Sequence, residues 1–474
     1  MSRHYPPPLF DLSAVLRQSA LPRLVAILFL VASGGACLAS TVIHDFAGAP
    51  NDGRNSSGGI VIADNLLYGT TGFGGPTNGS GVIFRMNPDG SGYTILHTFY
   101  GGTNDGARPA GRLLVSGSTI YGVTQNGGPS NFGTVYSMDI TGSNFKVIHS
   151  FTGGANDGEF PNAPLVLVNS TLYGVCELGG PDNLGIIYQI DTGGTGFTVL
   201  HAFATGPTDG HLPFGGLTLS ATTLYGVTAQ GGNSNNAGTI FKIDINGSGY
   251  ALLHQFSGVQ GDGYNPEHNL TLIGNILYGV TNQGGTAGTG TIFKIGIGGN
   301  GYAVLYSFEG ATGNDGHPSS ALTLVADHLI GATDPIDNSI PDLVYSVRSD
   351  GSGFGVLYRF NGPTSEGREP GGDFAVIGST LYGATGYGGS AGNGVVYTLD
   401  LPLLKITSVM RPAANEFSLT GQAFPNSGVT IEVIPDLETG PESLYPTTAD
   451  GNGVFHFDDL NAAGSLKFYR ATSP

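Results

Sequence analysis

From residue 213 to 256 the chain reads "PFGGLTLSATTLYGVTAQGGNSNNAGTIFKIDINGSGYALLHQF", and its apolar positions gather into four short runs, "LTLS", "TLYGVT", "TIFKID" and "YALLHQF". Each run is rich in β-branched or aromatic residues and is bounded by Gly, Asn or Ser, as a strand closed by turns should be. Alternation is plainest in the last, where Tyr250, Leu252, His254 and Phe256 fall on one face. No helical period appears. Four antiparallel strands per ~50 residues is the expected unit, and that unit is a propeller blade.

The unit recurs. "LYGVTAQGG" at 224 returns as "LYGTTGFGG" at 67, "IYGVTQNGG" at 120, "LYGVCELGG" at 172, "LYGVTNQGG" at 277 and "LYGATGYGG" at 381, with a worn copy, "LIGATDPID", at 329. The marker residue runs Tyr68, Tyr121, Tyr173, Tyr225, Tyr278, Ile330, Tyr382, a step of 52 or 53 throughout. A fixed step predicts a repeat architecture, and a β-helix repeat is usually far shorter. The ends set the blade count. The outer-strand phrase first occurs as "VIHDF" (42–46), before any complete repeat, and the last repeat stops after its third strand, "GVVYTLD" (394–400). Pairing the two closes the ring and removes an exposed sheet edge. The expectation is an all-β fold: a seven-bladed β-propeller over 41–401, closed by the N-terminal strand. In "LYGVT" the tyrosine is expected to pack between blades and the glycine to admit a neighbouring backbone, while the following "GG" turns the chain with φ > 0.

The phrases "LYGxTxxGG", "GTIFKID", "LHxF" and "DGxxP", in this order and at this spacing, resemble the bacterial tandem repeat called the GloVer repeat, over roughly residues 41–400. That repeat is found in exported proteins described as choice-of-anchor, so the resemblance implies export and surface display. It brings no catalytic residues. After Leu401 the period ends, and 402–474 alternates like a small β-sandwich. This tail resembles the Ig-like C-terminal modules that follow repeats in exported bacterial proteins, although the tryptophan expected after "DL" is missing.

The first forty residues differ. Arg3, Arg17 and Arg23 precede the apolar run "LVAILFLVA" (24–32), which gives way to "SGGACLAS" (33–40). This reads as a secretory signal peptide over 1–40, placing the protein outside the cell or on its surface. The run is short for a membrane span, which needs ~20 apolar residues. Cys37 raises a lipoprotein alternative, but Gly34 stands where a lipobox wants an aliphatic residue. Cleavage near Ala39 leaves one cysteine, Cys176, with no disulfide partner.

Composition adds two limits. With 81 glycines and 11% charged residues the chain is turn-rich, yet 39% hydrophobic residues suffice for a core. A net charge of −18 excludes a nucleic-acid partner of the ordinary electrostatic kind. Cations or neutral ligands suit it better, such as extracellular carbohydrate or an envelope protein.

Candidate chemistry lies in the long loops after the second and fourth strands, which leave a blade on the same face. Asp52, Asp105, Asp157, Asp209, Asp262 and Asp315 recur there, with Glu366 in the seventh repeat, each before a glycine. Such a ring could hold Ca²⁺ or hydrogen-bond sugar hydroxyls. The plainer alternative is an Asp-Gly turn whose side chain caps its own backbone, and no other cofactor is implied. The outer-strand residues His44, His97, His149, His201 and His254, with Tyr306 and Tyr358 in the remaining copies, stand too far apart for one metal and read as packing aromatics with a polar tip. Catalysis needs residues that break the symmetry. Glu159, His211, Glu267, His268, His317, Arg368 and Glu369 do so just after the turns, with Glu177 on a neighbouring loop and "DPIDNSIPDL" (334–343) replacing a glycine loop. His211, His268 and His317 join the acids as candidate ligand-binding residues. The expected function is non-enzymatic binding through the long-loop face, with a polysaccharide-cleaving enzyme or a structural spacer as alternatives.

Overall fold

The computed structural model describes residues 38–472 except 57, 77–78, 311–314, 336–340, 361–365, 403–404, 411–416, 425–427, 435–442, 451–453 and 460–467. Residues 1–37, with Cys37 and nearly all of the expected leader, lie outside the described residues. One compact unit runs Cys37–Leu401, and Pro402–Pro474 belongs to another.

Among the described residues seven antiparallel sheets of four or five strands follow one another through the first unit, with four two-stranded ribbons beside them, making a seven-bladed β-propeller. Blade 4 shows the plan: Thr218–Ser220, Thr223–Thr228, Thr239–Asp244 and Ala251–Gln255, paired in sequence order. Blades 1, 2, 3, 5 and 6 repeat it at 61–98, 106–150, 166–202, 271–307 and 323–360. Blade 7 takes its first three strands from 367–400. Its fourth is Ser40–Asp45, antiparallel to Val395–Asp400 with Ser40 opposite Leu399 and Asp45 opposite Val395.

The core lies between blades. Tyr225, Val227, Ile240 and Phe256 of blade 4 share one buried cluster with Leu270, Leu277, Phe293 and Ile295 of blade 5. Equivalent clusters join blades 7 and 1, 1 and 2, 2 and 3, 3 and 4, and 5 and 6. Second and third strands are therefore buried on both faces, so "LYGVT" and "GTIFKID" carry almost unbroken apolar runs. The recurring tyrosine packs toward the next blade, as expected. The glycine after it differs from expectation. A Cβ on Gly226 would collide with the Phe241 ring at Cζ, and one on Gly122 with the Tyr136 hydroxyl. Gly226 stands directly opposite Phe241 in the register, and Gly122 opposite Tyr136. What the glycine admits is the aromatic ring of its cross-strand partner, not a neighbouring backbone. Cys176, in the threonine position of blade 3, is free and buried.

The second unit contains two three-stranded antiparallel sheets. Lys405–Met410, Phe417–Gln422 and Val454–Asp459 form one, and Ser443–Thr448, Gly428–Ile434 and Phe468–Thr472 the other. Among the described residues no helix is long and apolar enough to cross a membrane.

Candidate functional site

The recurring acids are built into the joints between blades. Asp209 follows the outer strand of blade 3, and its carboxylate accepts the backbone N–H groups of Ala204 (3.0 Å) and Gly210 (2.9 Å). His201 Nε2 meets it at 3.1 Å, and the Tyr250 hydroxyl, from blade 4, donates to it. The His201 and Tyr250 rings stack with centroids 3.7 Å apart. One carboxylate thus ties an outer strand, a crossover and the next blade together. Asp52 repeats this with Ala47 N, Gly53 N, His44 and Tyr93, and Asp262 binds Ser257 N, Gly263 N and the Tyr302 hydroxyl. At Asp105 and Asp157 the stacking aromatic is Phe145 or Phe197, which offers no hydroxyl. At Asp315 the histidine is Tyr306, 3.1 Å from the carboxylate. Glu366 marks the same turn in blade 7, where its carbonyl accepts Gly389 N (2.8 Å) as the Asp209 carbonyl accepts Gly232 N (2.8 Å).

Electrostatics follow these partners. Burial pushes the Asp52, Asp157, Asp209 and Asp262 carboxyls up, but hydrogen bonds from the histidines and neighbouring donors outweigh it, and each lies below the ordinary range. Asp315, lacking an imidazole, is left raised by burial. These carboxylates already have internal donors, and among the described residues no group of three or more His, Cys, Asp or Glu is placed to hold a metal ion.

The candidate histidines differ in their surroundings. His211 is half-buried and shifted down by burial. His268 is pushed down to about 4 by burial, which keeps the ring neutral at pH 7, and bonds the backbone of Pro318. His317 Nδ1 lies 2.7 Å from the Asn282 carbonyl.

The symmetry-breaking residues sort by charge instead. Glu177 of blade 3 and Glu267, entering blade 5, are close enough that Glu267 raises the Glu177 carboxyl further, after burial, which lifts both. Asn162 Nδ2 reaches Glu177 at 3.3 Å, and Asn265 Nδ2 reaches Glu267 at 2.8 Å. On blades 7, 1 and 2 the equivalent loops carry Arg368, Arg54, Arg108 and Arg112. The Arg54 and Arg108 guanidiniums both lie over the Phe73 ring, at 5.4 and 5.0 Å, and Arg112 Nη1 is 3.9 Å from Asp373.

The worn sixth repeat brings the strongest departure. In the other blades a glycine opens the third strand; Gly238 has φ +95°, and a Cβ on it would meet Pro266 of the next crossover. The carbonyl before that glycine accepts the crossover N–H: Ser80 from Arg108, Phe132 from Phe160, Leu184 from Leu212, Ala237 from Asn265. In blade 6 the glycine is Asp342, and its carboxylate takes the Glu369 N–H itself, at 3.0 Å. Asp342 is 2% exposed, with Arg368 Nε at 3.9 Å and its Oδ1 without a partner. Asp334 lies beside it, since Thr333 and Leu343 are paired; its Oδ1 is also buried without a partner. Burial first, then repulsion from Asp342 and Glu369, pushes Asp334 up to about 7 against a hydrogen bond from Ser319. Burial, then Glu369, pushes Asp342 up to about 6 against the pull of the Glu369 N–H and Arg368. Next to this pair Arg368, Glu369, Tyr387, Gly388 and Gly392 line a cavity of about 330 Å³. Tyr387 is 48% exposed. Sequence reasoning singled out Arg368, Glu369 and the 334–343 loop separately. The signal that joins them is the missing glycine at 342.

Comparison with known proteins adds the family and the fold. The family described as the Gloeobacter/Verrucomicrobia repeat matches residues 26–236 and 223–452. No curated protein matches the sequence. Among solved structures, an oligogalacturonate lyase in complex with manganese is similar with TM-score 0.50 and 13% identity, covering 78% of this chain and 99% of that one. A puromycin-hydrolyzing peptidase of Mycobacterium tuberculosis gives 0.46 at 10% identity, over 78% of this chain and 58% of its own. A chain of a nidogen/laminin complex gives 0.38 at 14%, over 63% and 93%. At these identities the first likeness bears on fold alone, and it agrees with an all-β propeller.

Proposed function

The chain belongs to the Gloeobacter/Verrucomicrobia repeat family, and we propose that it is an exported propeller that binds carbohydrate, without cleaving it, through the long-loop face at blades 6 and 7. The carrying observation is the cavity lined by Arg368, Glu369 and the exposed Tyr387, beside two buried carboxyls with unpartnered oxygens. An aromatic face, a guanidinium and a carboxylate in one concave site match the alternating apolar and hydroxyl surfaces of a sugar. Within this reading the secretory leader ends near Ala39, Ser40–Asp45 is the strand that locks the ring shut, and 402–474 is an Ig-like sandwich serving surface attachment. An envelope protein is the other partner class for the same face.

A glycan array on the purified protein, with and without chelator, tests the reading. Binding that survives chelation and is lost in Tyr387→Ala, at an unchanged melting temperature, is the expected result. Glycan binding that Tyr387→Ala leaves intact defeats the site, and an array with no retained glycan defeats the carbohydrate reading.

One observation favours a second reading, polysaccharide cleavage. Asp334 and Asp342 are adjacent carboxyls that burial raises to about 7 and about 6, the direction in which a general acid for glycosidic cleavage is shifted. Release of reducing ends from any bound glycan, abolished in Asp334→Asn, distinguishes it from binding.

A further inference from the structure

The charge of this protein makes its arginines conspicuous. Seventeen basic residues stand against 35 acidic ones, yet the crossovers that enter blades 7, 1 and 2 place Arg368, Arg54, Arg108 and Arg112 on one arc of the long-loop face. Arg54 and Arg108 are exposed and share a single ring, Phe73. Two guanidiniums held near one ring repel each other, and no ion pair to either is found among the described residues. Cation–π contact fixes both heads in place, which lowers the entropy lost when they bind something. Arg112 Nη1 lies 3.9 Å from Asp373, and its Nε is buried without a partner among the described residues. At the second-strand end, where the other blades carry Gln125, Glu177, Ala229, Asn282 or Asp334, blades 1 and 7 have Gly72 and Gly386. A Cβ at either glycine would meet Asn55, the residue after Arg54.

We propose that this arc is a subsite for an acidic polysaccharide, a chain bearing uronate carboxylates, with Arg54 and Arg108 as its paired anchor. The inference rests on the carbohydrate reading above and sharpens it to a charged class. Carboxylates fit the planar fork of a guanidinium with two parallel hydrogen bonds, and an arc of such forks suits a linear polyanion better than a single ion. Glu177 and Glu267 of blades 3 and 5 repel the same chain, and Glu369 and Asp373 of blade 7 lie beside Arg368 and Arg112, so the anchor falls to Arg54 and Arg108.

Binding of alginate, neutral laminarin and inorganic polyphosphate to the full-length protein and to Arg54→Gln/Arg108→Gln tests this. Both residues are exposed, and matched melting curves establish that the variant is folded. The expected result is alginate binding that weakens with added salt and falls at least tenfold in the variant, with laminarin bound weakly and equally by both. Alginate held equally by the variant overturns the anchor. Laminarin bound as tightly as alginate overturns the acidic class while leaving carbohydrate binding intact. Polyphosphate bound as tightly as alginate, with the same arginine dependence, overturns the sugar assignment. Retention of no polysaccharide at all defeats the underlying carbohydrate reading.

Discussion

Replacing Asp209 by Asn tests whether the recurring acids are joints or ligand sites. The substitution keeps the shape but turns one carboxylate oxygen into a donor, and the site is filled with donors: Ala204 N–H, Gly210 N–H and the Tyr250 hydroxyl, with His201 beside them. A hydrogen bond to a charged group contributes about 1.5–3 kcal/mol, and a stranded buried donor costs a similar amount, so the loss should be about 3 kcal/mol. The propeller unit, Cys37–Leu401, has 401 − 37 + 1 = 365 residues. At about 2.1 cal/mol/K per residue its unfolding entropy is about 0.8 kcal/mol/K, so the melting temperature should fall by about 4 °C. Asp105→Asn should cost less, because Phe145 offers no hydroxyl there. The pH dependence has a definite sign. The folded carboxyl of Asp209 lies below its unfolded value, so its contribution is present above about pH 4 and disappears as pH falls through the folded value. The gap between wild type and variant should therefore close in acid. Circular-dichroism melts at pH 7 and pH 3 measure both. Unchanged melting together with lost glycan binding would refute the joint assignment and restore the acids as a ligand ring.

Two further outcomes follow from the same geometry. Gly226→Ala drives a methyl into the Phe241 ring; it should destabilise by about 1–3 kcal/mol in urea titration, and Phe241→Leu should recover part of the loss. Asp334 is raised to about 7, so its protonated form stabilises the fold fully below about pH 4, and that stability drains away as pH rises to 7. Urea titrations across that window should show a decline that Asp334→Asn reduces by about 2–4 kcal/mol, the remainder coming from Asp342, raised to about 6.

The blades were legible because period and alternation are written in every repeat, and the seven marker residues 52 or 53 apart leave little freedom in the count. Partners across blades were not. His201, Asp209 and Tyr250 recur at their own fixed offsets, but that they meet depends on how one sheet stacks on the next, which no single repeat encodes. The glycine of "LYG" misled for a related reason. Its neighbour is the aromatic that stands opposite it in the hairpin, Tyr136 for Gly122 and Phe241 for Gly226, and that pairing depends on the register of two strands. Asp342 was hidden by erosion of its repeat, since the loop around it no longer aligns, and its meaning rests on a lost glycine. Arg54, Arg108 and Arg112 escaped, and only Arg368 was singled out, because the four stand at three different offsets from the turn acid and form a group only once blades 7, 1 and 2 are neighbours.

The pairing of Ser40–Asp45 with Val395–Asp400 has a consequence in time. The first of the described strands must wait for one about 350 residues later before it has a partner. Until then a run of unpaired backbone donors and acceptors stays open at one end, and a matching edge is absent at the other. Contacts so distant in sequence form late and slowly. A chain interrupted before residue 395 lacks the strand that Ser40–Asp45 pairs with, and that backbone edge stays unpaired.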